Sequence, residues 1–244
     1  MKKIAAIILA GGRGKRMKVL KQNKVVFKLA DKHMITHTID LLDKLKIETK
    51  IIVVGFAKKS VMDVLRNRVV YAVQKKRLGT AHAVLCALKK VPENIQTVLV
   101  LNGDDSAFYT NDIIKKLIKT HWEENAALSF LTIIVNNPVG LGRVIRDKDS
   151  VIGIVEEADA TRAQRKITEI NPACYIFEGS FLKKYLEKVK KSKISGEYYL
   201  TSLIDIAIKN NEKIEAVKAG KIAWRGINTP EELEEAERMF LQTK

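Results

Sequence analysis

Residues 4–9, Ile-Ala-Ala-Ile-Ile-Leu, run directly into Ala10-Gly11-Gly12-Arg13-Gly14-Lys15-Arg16. An apolar run of this length, ended by glycine, reads as a buried strand. The glycines let the backbone approach an anion closely and turn successive N–H groups toward it. Arg13, Lys15 and Arg16 add fixed positive charge, and arginine grips phosphate oxygens bidentately. A loop of this kind after the first strand is where open α/β sheets bind nucleotides. No Gly-Lys-Ser/Thr closes the loop, so it is not a P-loop. Its glycine spacing is not the dinucleotide fingerprint either. Taken alone, it also fits a tight turn carrying surface cations.

Strand and helix signals alternate after it. Apolar runs predict strands at 3–9, 50–56, 69–73 and 97–101. Helical spacing predicts helices at 34–46, at 61–66 behind Ser60 as cap, at 80–90 ahead of Pro92, and at 111–124 behind Asn111 or Asp112. The second half is less regular, with strands expected at 128–135, 143–146, 151–156, 173–177 and 214–219. Helices are expected at 197–209 and 231–241, the last with Pro230 in its first turn. Repeated β–α–β alternation means a largely parallel sheet with helices on both faces. The second half would form an edge or lid over that sheet. One domain over residues 1–244 is the simplest organisation.

The net charge of +16 attracts polyanions. Its lysines are spread along the chain, and no zinc finger, RNA-recognition signature or basic heptad segment accompanies them. That favours a generally basic surface over specific nucleic-acid binding, and a lysine-rich proteome gives the same charge. Cys86 and Cys174 form no disulfide framework and show no metal-ligand spacing. No signal peptide and no apolar run of membrane-spanning length is present. A cytoplasmic, soluble protein with no membrane partner is expected.

Several residue groups could carry chemistry. Asp104 follows a buried strand directly, beside the glycine loop, where a carboxylate suits a divalent cation; an Asn-Gly-Asp turn is the plainer alternative. Gln74 offers a donor and an acceptor side by side, suited to the edge of a base. Gly79-Thr80 opens a helix whose amides can meet an anion, or serves only as a capped turn. His82 falls within that helix's apolar period and is expected to be packed. Gly140-Leu141-Gly142-Arg143 is a glycine turn, and Glu156, Glu157 and Asp159 form an acidic cluster in a basic chain. Glu169-Ile170-Asn171 precedes a strand, and residues 196–201 join a carboxylate, Tyr198, Tyr199 and Thr201 in the manner of a sugar site.

In order along the chain, LAGGRGKRM, the Lys24-Val25-Val26 element, QKKRLGTAHA, NGDD, GLGR, VEEADATRAQRKITEIN, GEYYLTSLI and RGINTPEEL resemble the sugar-nucleotide pyrophosphorylases. The similarity is greatest to the uridylyltransferase domain of the bifunctional bacterial enzyme that makes UDP-N-acetylglucosamine. It implies a Rossmann-like nucleotidyltransferase domain with a smaller sugar-binding lid. It also implies Mg²⁺-dependent transfer of a uridylyl group from UTP to a sugar 1-phosphate, N-acetylglucosamine 1-phosphate first. By this resemblance Leu9, Ala10, Gly11, Gly12 and Gly103 contact the nucleotide, and Gln74, Gly79 and Thr80 read uracil. Arg16 and Lys24 stabilise the phosphates, and Asp104 with Asn228 holds Mg²⁺. Gly142, Glu156 and Asn171 line the sugar pocket, with Tyr198 and Thr201 nearby. Homo-oligomers are compatible with it.

The chain also departs from that family. Lys15 replaces a usual threonine, Asn23 a proline, and Asn102 and Leu141 each a tyrosine. Pro172-Ala173-Cys174 replaces the usual Thr-Gly, and the spacing from Arg16 to Lys24 is one residue longer. Several of these positions flank the sugar. No hexapeptide repeat occurs, so acetyl transfer is not expected. The rivals are the same chemistry on another sugar phosphate or nucleotide, and a non-catalytic sugar-nucleotide binder on the same scaffold.

Overall fold

The computed structural model describes residues 3–17, 21–220 and 222–242. The chain opens with β1 (Ile4–Ala10), a short hairpin of β2 (Lys28–Leu29) and β3 (Lys32–His33), and α1 (Met34–Lys44). The alternation continues with β4 (Thr49–Val54), α2 (Lys58–Leu65), β5 (Val70–Val73), α3 (Thr80–Leu88), β6 (Thr97–Asn102) and α4 (Asn111–Glu123). Five strands follow without a long helix between them: β7 (Leu128–Ile134), β8 (Gly142–Asp147), β9 (Ser150–Val155), β10 (Glu169–Asn171) and β11 (Tyr175–Glu178). Helices α5 (Gly179–Tyr185) and α6 (Ser202–Lys209), strand β12 (Ile214–Lys218) and helix α7 (Pro230–Gln242) complete it.

The strands form one mixed sheet in the order β5-β4-β1-β6-β11-β7-β10-β8-β9, with β12 added beside β7. β5, β4, β1 and β6 run parallel to one another. β11 then pairs antiparallel with β6 and β7, and β10, β8 and β9 extend the sheet antiparallel to its far edge. From β1 the chain builds first toward β4 and β5, then returns to lay β6 on the other side. This reversal opens a crevice at the carboxyl ends of β1 and β6, the place where such sheets take ligands.

The period of two in β1 divides the core. Ala6, Ile8 and Ala10 face one apolar layer with Ile35, Ile39 and Leu42 of α1, Val61 of α2, Ile114 of α4 and Phe240 of α7. Ala5 and Ile7 face the other, with Val84 of α3, Leu182 of α5 and Leu203 of α6. A strand buried on both faces has no polar position, which is why β1 reads as an unbroken apolar run.

Local boundaries differ from expectation where side chains compete for the backbone. Thr110, not Asn111 or Asp112, caps α4, its hydroxyl accepting from Ile113 N–H at 3.3 Å. Ser60 lies inside α2 and donates to Ala57 O at 2.8 Å. The helix expected from 197 begins only at Ser202, because the segment before it docks as a loop beside the start of α3 and turns at residues 200–201. There Tyr198 N–H donates to Leu78 O, Ala81 N–H donates to Tyr198 O, and Leu200 N–H donates to Thr80 Oγ1. The β2–β3 hairpin, β10 and α5 are elements too short to carry a periodic signal. The interval from Arg16 to Lys24, read as one residue longer, includes residues 18–20, which lie outside the described residues.

Candidate active site

Two adjoining cavities occupy the crevice. The larger, about 850 Å³, lies between the loops after β1, β5 and β6. The smaller, about 200 Å³, lies over β8, β9 and β10. Leu9, Thr80, Asn102, Asp104 and Asn228 line both, so the two are compartments of one cleft.

The glycine loop shapes the large cavity. Leu9, Ala10, Gly11 and Gly12 line it, with the cations Arg13, Lys15, Arg16, Lys24 and Arg77. Gly11 is pressed between Gln74 and the next strand: a Cβ there would stand 2.9 Å from Gln74 Oε1 and 3.6 Å from Gly55 N. Gly11 O accepts from Phe56 N–H at 3.1 Å, and the Arg13 guanidinium lies 5.7 Å over the Phe56 ring. Gly103 does not line either cavity. It packs beneath them, where a Cβ would meet Ile35 Cδ1 at 2.7 Å, and its N–H donates to Leu9 O.

Asn23 holds this loop together, a role the sequence did not disclose. It is almost fully buried and every polar group of it is engaged. Nδ2 faces Ala10 O at 2.8 Å, Phe56 O at 2.9 Å and Gly12 O at 3.2 Å. Oδ1 accepts from Val25 N–H at 3.1 Å, and Asn23 N–H donates to Ser60 Oγ at 3.0 Å. One side chain thus joins the loops after β1 and β4 to the short helical turn that carries Lys24. A proline here would lack the N–H and the amide, so the only hint was the departure itself.

Gln74 is buried at the rear of the large cavity. Nε2 donates to Gly79 O at 3.0 Å and pairs with His82 Nδ1 at 3.1 Å. Both donors of the amide are therefore engaged within the protein, and Oε1 is the atom it can offer to a base. His82, expected to be a packed helix residue, sets that orientation. Gly79 has φ of +112°, and a Cβ would stand 2.4 Å from Tyr198 O. Tyr198 thus braces the turn with its backbone and lines neither cavity.

At the junction of the cavities, Lys24 Nζ donates to Ile227 O at 2.6 Å and Asn228 Oδ1 at 3.2 Å, and pairs closely with Asp104 Oδ2. A carboxylate, an amide oxygen and a carbonyl oxygen thus converge on one cation. That oxygen set suits a hard divalent ion which keeps water and substrate phosphates as its other ligands. Asp104 and Asn228 therefore fit a Mg²⁺ site. Asn228 is held from behind, its N–H donating to Glu232 Oε2 at 2.6 Å in the first turn of α7.

The small cavity is acidic. Asp104, Asp105 and Glu156 line it, and no Lys or Arg does so among the described residues. Gly142 and Asn171 also line it. Glu156 Oε1 accepts from Thr201 Oγ1 at 2.8 Å, so Thr201 orients the carboxylate and does not itself line the cavity. Burial, then the nearby Asp159 and Glu197 charges, raise the Glu156 pKa against that hydrogen bond. Asn171 donates to Tyr175 Oη and accepts from Ala173 N–H at 2.8 Å. Ala173 sits at φ of 56°, a left-handed conformation that a glycine would adopt without strain. Beneath the cavity Arg143 is fully buried, and pairs with Glu157 at 2.6 Å. Burial opposes ionisation of Glu157, but hydrogen bonds from Arg143 and Gly140 N–H bring its pKa below the usual value.

A crevice at a topological switch point, walled by a glycine-rich cationic loop and a strand-end carboxylate, is the arrangement in which open α/β sheets take ligands. The nucleotidyl transferase family matches residues 5–243, and the chain belongs to it. It is 44% identical over 241 residues to the bifunctional protein GlmU of Caldicellulosiruptor saccharolyticus, covering 97% of this chain and 52% of that one. The corresponding protein of Thermoanaerobacter pseudethanolicus is 39% identical, covering 98% and 52%. The chain therefore spans about half the length of these curated relatives. The structure of a UDP-glucose pyrophosphorylase with UDP-glucose superposes with a TM-score of 0.82 at 18% identity, over 100% of both chains, which establishes the shared fold. Among the described residues no helix is long and apolar enough to cross a membrane.

Proposed function

We propose that this chain transfers the uridylyl group of UTP to a sugar 1-phosphate, N-acetylglucosamine 1-phosphate first, giving a UDP-sugar and pyrophosphate. The observation that carries this reading is the cleft itself. A cation-lined compartment adjoins an acid-lined one the size of a sugar, with Asp104 and Asn228 on the shared wall. The relatives named as GlmU support the choice of nucleotide and sugar.

In this reading an oxygen of the sugar phosphate attacks the α-phosphorus in line, and the bond to pyrophosphate breaks. No covalent enzyme intermediate is required, so catalysis is positioning and charge neutralisation. The glycine-loop amides hold the phosphate chain. Lys24 and Arg16 offset charge that builds on the leaving pyrophosphate, an effect greatest in the transition state. Gln74 Oε1 accepts from N3–H of uracil, a donor that cytosine lacks at that position. Asp104 and Asn228 would hold Mg²⁺, which would supply positive charge against the reacting phosphates. Free thiols at Cys86 and Cys174 suit a reducing, cytoplasmic setting.

The test is pyrophosphate release with four nucleoside triphosphates crossed against a panel of sugar 1-phosphates. UTP is expected to exceed CTP, ATP and GTP by about a hundredfold or more in kcat/KM, since a site built on hydrogen bonds rejects a mismatched partner. Equal use of CTP removes Gln74 as the uracil reader. Tight binding of UDP-sugar with no turnover of any pair would make the protein a sugar-nucleotide binder.

A further inference from the structure

Asp105 follows the proposed metal-binding Asp104 and lines the small cavity while remaining only 5% exposed. Its Oδ2 accepts from Asn102 Nδ2 at 3.3 Å. Its Oδ1 is buried and has no hydrogen-bond partner. Among the described residues lining this cavity, it is the one buried oxygen left in that condition. The neighbouring acidic and amide groups are engaged, Asp104 with Lys24, Glu156 with Thr201, and Asn171 with Tyr175 and Ala173, while the Trp224 indole N–H is a buried donor of the same cavity without a partner. A buried acceptor without a donor carries its full desolvation cost, and native structures avoid that unless the group has a use.

We infer that Asp105 is a sugar-recognising residue, whose Oδ1 accepts a hydrogen bond from a donor on the sugar ring. The inference rests on the uridylyl-transfer reading and adds to it the residue that selects among sugars. The cavity supports it in two ways. It adjoins the phosphate-facing wall through Asn102 and Asp104, so a ring attached to the 1-phosphate must enter beside Asp105. It also presents carboxylates without a lining cation, so its ligand is a neutral group rich in donors, such as hydroxyls or an amide N–H. Asn102 and Asp105 act as a pair: the Asn102 amide holds one carboxylate oxygen and leaves the other for the ring.

The test is D105N, with UTP affinity measured by calorimetry and sugar kinetics measured across ring-deoxy analogues and an analogue lacking the 2-acetamido group. Asn102 donates to one oxygen, so the new amide keeps its oxygen there and turns its NH₂ into the cavity, converting acceptor to donor. The expected result is a rise of about tenfold or more in KM for the sugar 1-phosphate, with unchanged Kd for UTP. On the wild type, one analogue should lose a similar factor in kcat/KM; on D105N that analogue should lose nothing further. Whether it is a deoxy sugar or the one lacking the acetamido group tells which donor Asp105 meets. Identical analogue ratios in wild type and variant would reduce Asp105 to a wall of the cavity. If D105N does not fold, Asp105→Leu, which leaves no unpaired oxygen, bears the same comparison. A wild type that turns over no sugar phosphate defeats the uridylyl-transfer reading, and this inference with it; normal turnover with unaltered ratios overturns the inference alone.

Discussion

The two compartments of the cleft are built on opposite plans. The compartment proposed for the nucleotide is made by loops that leave parallel strands, and its surface is glycine backbone and long cations: Gly11, Gly12, Arg13, Arg16 and Lys24. The compartment proposed for the sugar is walled mainly by the ends of antiparallel strands, and its surface carries acidic side chains: Glu156 beside Asn171 there, and Asp105 from the loop after β6. A phosphate chain is recognised by charge and N–H groups, which glycine and arginine supply in one contiguous segment. A sugar is recognised by acceptors and donors arranged around a ring, which distant strands must bring together. The junction residues Lys24, Asp104 and Asn228 belong to both plans.

The largest effect is expected at that junction. Asp104→Ala should lower kcat by about a hundredfold or more, since it removes the charged clamp on the reacting phosphates. Circular dichroism and UTP binding should show an intact fold. Near-normal turnover would separate the compartments and remove Asp104 from the chemistry.

Next come the cations of the nucleotide compartment. Lys24→Ala and Arg16→Ala should each lower kcat by about tenfold or more, and weaken UTP binding by less, because their charge matters most in the transition state. Equal losses in UTP affinity with unchanged kcat would make them binding residues only.

Asn23→Ala should act on one compartment alone. It frees the carbonyls of Ala10, Gly12 and Phe56, loosening the loop. UTP affinity is expected to fall by about tenfold, with some loss of melting temperature, because a buried network loses its donor. The KM for the sugar phosphate should hold. A parallel rise in that KM would show the compartments to be mechanically coupled.

The smallest effect concerns pH. Burial raises the Glu156 pKa above the ordinary 4.5. On acidification Glu156 is protonated earlier than a free glutamate, so KM for the sugar phosphate should begin to rise above pH 4.5 while UTP affinity stays flat. The sign for stability is opposite: with the folded pKa raised, this group favours the folded state as pH falls and disfavours it as pH rises through that value. Glu156→Gln should flatten the sugar-side profile, and a profile that keeps its slope would assign it to another group.

The sequence by itself determined the sheet's parallel half, the glycine loop and its cations, the strand-end Asp104, and membership of a nucleotidyl transferase scaffold. Those features are local. A strand buried on both faces must be apolar throughout, and a loop that cradles phosphate must carry glycine and positive charge in consecutive positions. Only the tertiary structure decided that Asn23 ties three loop carbonyls, that Gln74 offers an acceptor alone, and that Gly103 packs beneath the cleft. It also decided that Tyr198 and Thr201 support the site from behind, and that residues 197–201 dock as a loop. Each depends on which hydrogen-bond partners arrive from strands tens of residues away. A polar side chain's role depends on which of its donors and acceptors the folded protein leaves open, and that is set by packing rather than by neighbours in the chain.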